Sequence, residues 1–267
     1  MLRPSSVIAR RQCRRGNPRN IPETLRDCHV GLRPPRNDEL FGEQFVKSEF
    51  DIISLPWHNS PKGVDRMNIT RIVYAYGAMG MDWIVAGGDP TIRVPIDFCF
   101  FLLDDGNQKI LVDAGCDGME GFVLRDRISP AEALRRHGVE PEEIGHIIIT
   151  HGHHDHIEGI RYFPNAHIYI QKDELARSGQ YILPTHTVTS FDETLEPFPG
   201  VRILKIGGHS IGSCILEVGD TVLCGDECYG HYNIENRVPT PKSRCPERSL
   251  YFIQTYAHRK CILFHQP

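Results

Sequence analysis

The segment Ile147–Gly159, IIITHGHHDHIEG, concentrates metal-binding side chain types directly after an apolar run. Within six residues it holds four histidines and one aspartate: His151, His153, His154, Asp155 and His156. Imidazole nitrogens and carboxylate oxygens suit Zn, Fe, Mn or Ni ions better than they suit a structural thiolate site. The β-branched run predicts a short buried strand, and loops at strand ends are where a scaffold often carries its chemistry.

Three later segments repeat this arrangement of an apolar run followed by a candidate ligand. VRILKIGG precedes His209, TVLCG precedes Asp226, and CILF precedes His265. If these strand ends share one edge of the fold, seven candidate ligands converge: His151, His153, Asp155, His156, His209, Asp226 and His265. Seven are too many for one tetrahedral ion but suit two ions roughly 3.5–4 Å apart that share a carboxylate.

Glycines accompany two of these ligand segments. Gly152 separates His151 from His153, and Gly207 and Gly208 precede His209. A residue without Cβ lets the backbone turn two neighbouring ligands toward one point. The glycines therefore support convergence.

Strands dominate the elements that must position these residues. ITRIVYAY (69–76) predicts a strand, and IDFCFFLL with KILVD predicts a hairpin joined by DDGNQ. CILEV and TVLC predict a second hairpin with Gly219-Asp220 as its turn. Helices are expected between sets of strands, which predicts a layered α/β fold with two sheets face to face.

One of those helices carries clear boundary signals. In SPAEALRRHG, Ser129 is the expected N-cap, Pro130 the first helical residue and Gly138 the C-cap. Further helices are expected over QKDELARS and PERSLYFIQTYAHR.

The charge distribution separates the first residues from the rest. Residues 1–20 hold six arginines and no acid, which leaves 24 basic against 34 acidic residues beyond them. An acidic body repels a phosphate backbone and argues against nucleic acid as a partner. We expect residues 1–65 to be an irregular basic tail and lead-in, and residues 66–267 to be one folded domain that carries the candidate ligands.

The first 20 residues resemble an organellar transit peptide, with a disordered tail or an upstream start codon as alternatives. Otherwise a cytoplasmic location is expected, because the nine cysteines are an odd count and include no CxxC pair. No apolar run reaches membrane-spanning length, so no membrane partner is expected.

The ligand pattern resembles a known family. His151-x-His153-x-Asp155-His156, followed by His209, Asp226 and His265, resembles the HxHxDH…H…D…H motif of the metallo-β-lactamase superfamily. LVDAG (111–115) resembles the DTG segment of that family, with Ala in place of Thr. The resemblance covers roughly residues 69–267 and implies an αββα sandwich with a dinuclear site at one edge of the two sheets.

Tyr229, three residues after Asp226, resembles the N-acyl homoserine lactonase branch, where a tyrosine contacts the substrate carbonyl. The resemblance implies two Zn²⁺, with Fe, Mn or Co as alternatives. One ion would bind His151, His153 and His209, the other would bind Asp155, His156 and His265, and Asp226 would bridge them. A bridging hydroxide would open a lactone or related ester, a small-molecule substrate, with Tyr229 and Asp155 as catalytic residues.

The chain departs from the family pattern near its end, where Gln266-Pro267 follow His265 in place of the usual aspartate and terminal segment. His265 is therefore the least typical of the predicted ligands. Asp113 is either a turn cap or a buried residue that orients the ligand loop. The stretch Met79–Trp83 is either core or the lining of an acyl pocket.

Other functions remain open at this point. The same scaffold could serve a thioesterase, a β-lactamase or a hydrolytic dehalogenase. The three-histidine half alone could serve a mononuclear iron dioxygenase, and a binding module could keep the fold without activity. The oligomeric state is also open, although lactonases are often homodimers.

Overall fold

The computed structural model describes residues 52–56 and 66–266. The strands in this part are β1 Ile52–Pro56, β2 Arg66–Gly80, β3 Arg93–Asp104, β4 Lys109–Val112, β5 His146–Ile149, β6 His167–Gln171, β7 Thr187–Phe191, β8 Thr194–Phe198, β9 Val201–Lys205, β10 Cys214–Val218, β11 Thr221–Leu223 and β12 Lys260–Ile262. The α-helices are α1 Met81–Ile84, α2 Pro130–Arg136, α3 His154–Ile157, α4 Lys172–Ser178, α5 His231–Asn236 and α6 Pro246–Tyr256. Short 3₁₀ turns cover Pro141–Glu143, Glu158–Tyr162 and Gly179–Tyr181.

These strands form two sheets. One sheet has the order β1-β2-β3-β4-β5-β6-β7, and the other has the order β12-β11-β10-β9-β8. Strands β4 to β7 run parallel to one another, so their carboxyl ends share one edge of the first sheet. In the second sheet β9, β11 and β12 run in the same direction, because β10 is antiparallel to β9 and β11 while β12 is parallel to β11.

The alternation of side chains along the strands builds the layers. On β3, Phe101 and Leu103 pack between the two sheets, whereas Phe98 and Phe100 face the opposite side. The second sheet contributes residues such as Leu216 to the same central layer. Period-two alternation with apolar residues on both faces is expected of a strand that is covered on both sides.

Helices cover both outer faces. Leu134 of α2 belongs to the core on the outside of the first sheet, and Phe252 and Ile253 of α6 belong to the core on the outside of the second. The layer order is therefore helix, sheet, sheet, helix. The predicted αββα sandwich is confirmed.

The two sheets meet at the edge where the predicted ligands lie. The backbone N–H of Cys214, at the start of β10, donates to the carbonyl of Thr150 just after β5, at 2.9 Å. The backbone N–H of Asp97 on β3 donates to the carbonyl of His265 after β12, at 3.1 Å. These two bonds hold segments of the two sheets against each other at this edge.

Both predicted hairpins are present, and Ser129 caps α2 by accepting a hydrogen bond from the backbone N–H of Glu132. The C-cap prediction is wrong by one residue. His137 is the C-cap, and Gly138 follows it with φ of 75°. This left-handed conformation is where glycine is favoured after a helix.

The prediction of an irregular segment over residues 1–65 needs one correction. Residues 52–56 form β1, which pairs antiparallel with β2 and extends the first sheet. The other residues of that predicted tail, including the arginine-rich start, lie outside the described residues. Within residues 52–56 and 66–266, no helix combines the length and apolar composition that crossing a membrane requires.

Candidate metal centre

Three predicted ligands from two different sheets meet at one point. His151 and His153 follow β5, and His209 follows β9. His153 Nδ1 lies 3.0 Å from His151 Nε2 and 2.8 Å from His209 Nε2. His151 and His209 are buried, whereas His153 is exposed, so this group opens to solvent on the His153 side.

A second group lies beside the first. Asp155 and His156 belong to α3, and His265 follows β12. Asp155 Oδ2 lies 3.6 Å from His156 Nε2 and 3.9 Å from His265 Nε2. All three side chains are buried, and their candidate ligand atoms lie within 4.8 Å of one another.

Asp226 stands between the two groups and offers one carboxylate oxygen to each. Its Oδ2 lies 3.7 Å from His151 Nε2 and 3.5 Å from His209 Nε2. Its Oδ1 lies 3.3 Å from both His156 Nε2 and His265 Nε2. The side chain follows β11, whose carboxyl end reaches the same edge as β9 and β12. The geometry thus brings together all seven residues that the sequence predicts to be ligands.

The hydrogen bonds behind His151 fix its tautomer. The Thr150 hydroxyl donates its only proton to Asp113 Oδ2 at 2.7 Å. His151 Nδ1 lies 3.1 Å from that hydroxyl oxygen and must therefore be the donor. His151 Nε2 is then left with a free lone pair that points at the other candidate ligands.

Asp113 lies under both ligand groups. Its carboxylate accepts hydrogen bonds from the Thr150 backbone N–H at 2.7 Å and from His156 Nδ1 at 2.7 Å, besides the Thr150 hydroxyl. Of the two roles expected for Asp113, these contacts are those of a buried residue that orients the ligand loop. A neutral His156 that donates from Nδ1 also presents a bare Nε2 to the site.

His265, the least typical predicted ligand, is held by β3. Its Nδ1 lies 2.9 Å from the backbone carbonyl of Asp97 and donates to it. The Arg71 guanidinium pairs with the Asp97 carboxylate at 2.7 Å and donates to the Phe264 carbonyl at 3.2 Å. The last residues of the described chain are therefore anchored, and His265 Nε2 is directed at Asp155 and Asp226.

The electrostatics of the site favour a bound cation. Burial lowers the pKa of His151 well below its ordinary value and the pKa of His209 to about 4, so both imidazoles are neutral. Burial opposes charge on His156 as well, but Asp226 and the other carboxylates outweigh it and raise the pKa of His156 well above its ordinary value. A field that would hold a proton on a buried imidazole also attracts a metal ion.

Asp226 itself stays ionised. Burial alone would raise the pKa of its carboxyl group, but the surrounding imidazoles, His156 first, hold that pKa well below its usual range. An ionised, buried carboxylate that faces five imidazoles is a donor set for divalent cations rather than for an anion.

The spacing of the donor atoms fits metal coordination. Metal–nitrogen bonds of about 2.0–2.1 Å in a tetrahedron separate neighbouring ligand atoms by roughly 3.3 Å. The separations given above lie between 2.8 and 3.9 Å. In addition, the buried atoms His156 Nε2 and Asp226 Oδ1 make no hydrogen bond of acceptable geometry with any described residue. With the His156 proton on Nδ1, both atoms are acceptors, and two buried acceptors 3.3 Å apart with no donor between them fit a cation placed there.

A cavity of about 370 Å³ adjoins the candidate ligands. His153, Asp155, Asp226 and His265 line it on one side. The other lining residues are mainly apolar: Met79, Trp83, Ile96, Phe98, Met119 and Phe122. The cavity thus joins a polar reaction site to a wall suited to a hydrocarbon group.

The other predicted residues lie around this cavity. Tyr229 lines it, and its ring centre is 5.7 Å from that of His209 and 5.9 Å from that of His265. His154, which stands inside the motif, also lines the cavity, and its Nδ1 lies 3.0 Å from the Tyr181 hydroxyl. Of the stretch Met79–Trp83, for which core and pocket lining were the two expectations, Met79 and Trp83 line the cavity.

The sequence predictions missed Lys242 and two buried glutamates. The Lys242 ammonium lies 4.8 Å from the centre of the Trp83 ring at the cavity. Glu174 and Glu227 hold the loops that carry the ligands. Glu227 could have been identified from the sequence, because it is a charged residue directly after the predicted ligand Asp226. Glu174 lies in an amphipathic helix, and nothing in the sequence around it indicates a role at the site.

Comparison with known sequences points to one family. The sequence model of the metallo-β-lactamase superfamily matches residues 98–227. An N-acyl homoserine lactonase from Bacillus sp. is 34% identical over 169 residues, which cover 52% of this chain and 67% of the lactonase.

Comparison with solved structures agrees. A quorum-quenching N-acyl homoserine lactone hydrolase superposes with a TM-score of 0.65 at 25% identity, covering 74% of this chain and 91% of the hydrolase. AidC, a dizinc quorum-quenching lactonase, superposes with a TM-score of 0.62 at 14% identity, covering 82% and 91%, which shows the shared fold. With a relative that is 34% identical over two thirds of its length, this chain belongs to the metallo-β-lactamase superfamily.

Proposed function

We propose that this protein is a metal-dependent hydrolase that opens a lactone or a related ester. The observation that carries the proposal is the position of Asp226, whose two oxygens face separate groups of imidazoles at 3.3–3.7 Å. A carboxylate shared in this way is the expected centre of a two-metal hydrolytic site. The similarity to lactonases supports the substrate class.

The proposed ligand assignment follows from which atoms face each other. His151, His153 and His209 would hold one ion, Asp155, His156 and His265 would hold the other, and Asp226 would contact both. Zn²⁺ is the proposed metal, since imidazole and carboxylate donors suit it, and Fe, Mn or Co are the alternatives that metal analysis would distinguish. Divalent ions bound there would supply a deprotonated water as nucleophile and a Lewis acid for the carbonyl, since coordination lowers the pKa of water to about 7.

Tyr229 is proposed to stabilise the charge that develops on the carbonyl oxygen. Burial, followed by the charge of Asp226, raises the pKa of its phenol well above the ordinary value. The hydroxyl therefore keeps its proton and can donate a hydrogen bond throughout the reaction. A fixed donor at the edge of the cavity strengthens its interaction as the oxygen gains charge.

Asp155 is proposed to move a proton to the leaving oxygen. Its carboxylate lines the cavity and lies at the boundary between the candidate ligands and the substrate space. A carboxylate in this position can accept the one proton that the attacking hydroxide still carries and pass it to the alkoxide that leaves the ring.

The apolar wall is proposed to bind the acyl part of the substrate. Phe122 packs edge-on against both Trp83 and Phe98, with ring centres 5.8 and 5.6 Å apart. A small-molecule ester with a hydrocarbon chain can lay that chain along these rings while its carbonyl reaches the candidate ligands.

The test is a substrate panel assayed on one zinc-loaded preparation: an N-acyl lactone, an aryl ester, a thioester and a β-lactam. We expect the lactone to have the highest kcat/KM. His151→Ala should abolish turnover and remove bound metal. Asp192→Ala changes an exposed carboxylate that pairs with Lys172 and contacts no candidate ligand, so it is the matched control and should behave as the wild type.

Preferred turnover of the thioester or the β-lactam would reject the lactonase assignment and retain the hydrolase class. Oxygen uptake by a preparation with one iron per chain would reject both the lactonase assignment and the hydrolase class. His151→Ala with full metal content and full turnover would contradict the ligand assignment itself.

A further inference from the structure

Two buried glutamates outside the predicted ligand set hold the segments that carry the histidines. Glu174 lies at the start of α4 and is 2% exposed, and Glu227 follows Asp226 and is fully buried. Among the described residues, neither pairs with a lysine or an arginine. A buried carboxylate without a cation needs several hydrogen-bond donors, and the donors here come from the ligand loops.

Glu174 joins two loops that belong to different sheets. Its Oε2 accepts the backbone N–H of Gly152, between His151 and His153, at 2.8 Å. Its Oε1 accepts the Ser210 hydroxyl at 2.7 Å and the Gly212 backbone N–H at 2.7 Å. One carboxylate therefore connects the loop after β5 with the loop that follows His209.

Glu227 holds the second loop from the opposite side. It accepts the backbone N–H of Gly208 at 3.2 Å and that of His209 at 3.2 Å. The hydroxyls of Ser213 and Ser249 donate to it as well. The backbone of His209 is thus fixed by Glu227, while the next residues of its loop are fixed by Glu174.

The glycines of these loops make room for the contacts. A Cβ at Gly152 would lie 3.2 Å from Glu174 Oε2 and 2.7 Å from Ser178 Oγ. A Cβ at Gly208 would lie 2.2 Å from Glu227 Oε2. A larger residue at Gly208 would displace the Glu227 carboxylate, and one at Gly152 would collide with Ser178 and crowd the Glu174 carboxylate. The close approach therefore depends on residues at both ends of each contact, which sets these hydrogen bonds apart from incidental ones.

We propose that Glu174 is a positioning residue that sets the distance between the His151–His153 loop and His209, so that the three-histidine group is formed before an ion binds. The inference rests on the proposed metal centre and adds a residue to it. His153 Nδ1 and His209 Nε2 come from separate sheets and lie 2.8 Å apart. Glu174 accepts hydrogen bonds from both of the loops that carry them.

The substitution Glu174→Gln tests this with little change of shape. Each carboxylate oxygen accepts one backbone N–H, from Gly152 or from Gly212. A backbone N–H cannot reverse its role, so the amide NH₂ of glutamine must face one of these donors in either orientation. One of the two loops is then released, whichever way the amide turns.

The assay is titration of apoprotein with Zn²⁺ against a chromophoric chelator, together with the visible spectrum of the Co²⁺ form. In the wild type we expect two ions per chain. In Glu174→Gln we expect one of the two affinities to fall by about 10–100-fold, as for other residues that orient metal ligands. The second affinity should stay within about threefold, and the Co²⁺ spectrum should change for one equivalent only.

Glu217→Gln is the matched control. Glu217 lies on β10, pairs with Arg202 and Arg259, and contacts neither ligand loop. It should leave both affinities unchanged. If Glu174→Gln does not fold, Ser210→Ala removes only the hydroxyl donor to Glu174, and we expect it to weaken the same affinity by about threefold or more.

Wild-type affinities and spectrum in Glu174→Gln, or an equal loss at both sites, would overturn the positioning role. The second outcome would mean a general loss of stability rather than control of one group of ligands. A wild-type protein that binds no ion would instead overturn the proposed function on which the inference rests.

Discussion

Asp113→Asn is expected to weaken metal binding or stability, although Asp113 is not itself a predicted ligand. Asp113 Oδ1 accepts the Thr150 backbone N–H, and Oδ2 accepts both the Thr150 hydroxyl and His156 Nδ1, each at 2.7 Å. Asparagine replaces one of these oxygens by an NH₂ group, which cannot accept any of them. The amide has two orientations, and each leaves a different hydrogen-bond donor without its acceptor.

If the NH₂ replaces Oδ1, the fixed N–H of Thr150 loses its acceptor in a site that is fully buried. An unsatisfied buried donor costs about 1–3 kcal/mol. At roughly 3 °C per kcal/mol for a domain of this size, the melting temperature of the apoprotein should fall by about 3–9 °C.

If the NH₂ replaces Oδ2, the Thr150 hydroxyl can rotate to accept, but His156 must move its proton from Nδ1 to Nε2. The lone pair that faces Asp155 and Asp226 is then lost. Metal affinity at this group of ligands should fall by about 10–100-fold, the usual range for a residue that orients a metal-binding histidine.

The assay combines Zn²⁺ titration of the apoprotein against a chelator with calorimetric melting of the same sample. Asp192→Asn changes an exposed carboxylate that pairs with Lys172 and should leave both readouts unchanged. Each of the two amide orientations predicts a loss in one of these two readouts. Unaltered metal affinity together with an unaltered apoprotein melting temperature in Asp113→Asn would therefore refute the reasoning.

Three further predictions follow from the site and the cavity. Tyr229→Phe keeps the buried ring and removes the donor, so kcat for the best lactone should fall about 100-fold with metal content unchanged; turnover equal to the wild type would contradict the proposed role. Phe122→Ala removes part of the apolar wall, so kcat/KM should fall about tenfold for substrates with long acyl chains and little for those with short ones. An equal loss for all acyl lengths would mean that the acyl chain does not bind along this wall. Removing metal with a chelator should lower the melting temperature by about 5–10 °C, since an ion present at 100 times its Kd contributes about 2.7 kcal/mol of stability; equal melting temperatures would mean that no ion binds the folded state.

The sequence predicted the parts of the fold whose signals are local. The run before His151 is apolar and β-branched, and the Ser129-Pro130 pair marks a helix start by the chemistry of its own side chains. The ligand order was readable because each ligand follows an apolar run, and parallel strands bring such ends to one edge. The predicted layers are confirmed for that reason.

The elements that the sequence did not predict lack such local signals. Strands β7 (TVTSF) and β8 (TLEPF) alternate weakly in hydrophobicity. Each lies at the edge of its sheet, and only its last residue is buried. Strand β12 ends at Ile262, earlier than the predicted run CILF, so Leu263 and Phe264 lead from the strand to His265. The start of α3 lies inside the ligand motif, where the histidines obscured the helical pattern.

The contacts of Glu174 and Glu227 could not be predicted from sequence for a different reason. Their partners are mainly backbone N–H groups of loops far away in the chain, and such donors have no residue type of their own. From the sequence, Gly152 and Gly208 are expected to let the backbone turn the ligands toward one point, and in the structure their missing Cβ atoms also make room for these two carboxylates. Only the folded chain shows that second use.

The central claim is that side chains from four separated segments hold two ions that share Asp226. The most direct test is the metal content of the purified wild-type protein after loading with Zn²⁺ and removal of excess ions, measured by mass spectrometry of the metal and quantitative amino-acid analysis of the chain. We predict two divalent ions per chain, falling to one or none in Asp226→Ala. A wild-type protein with no bound ion, or with a single ion that persists in Asp226→Ala, would contradict the account.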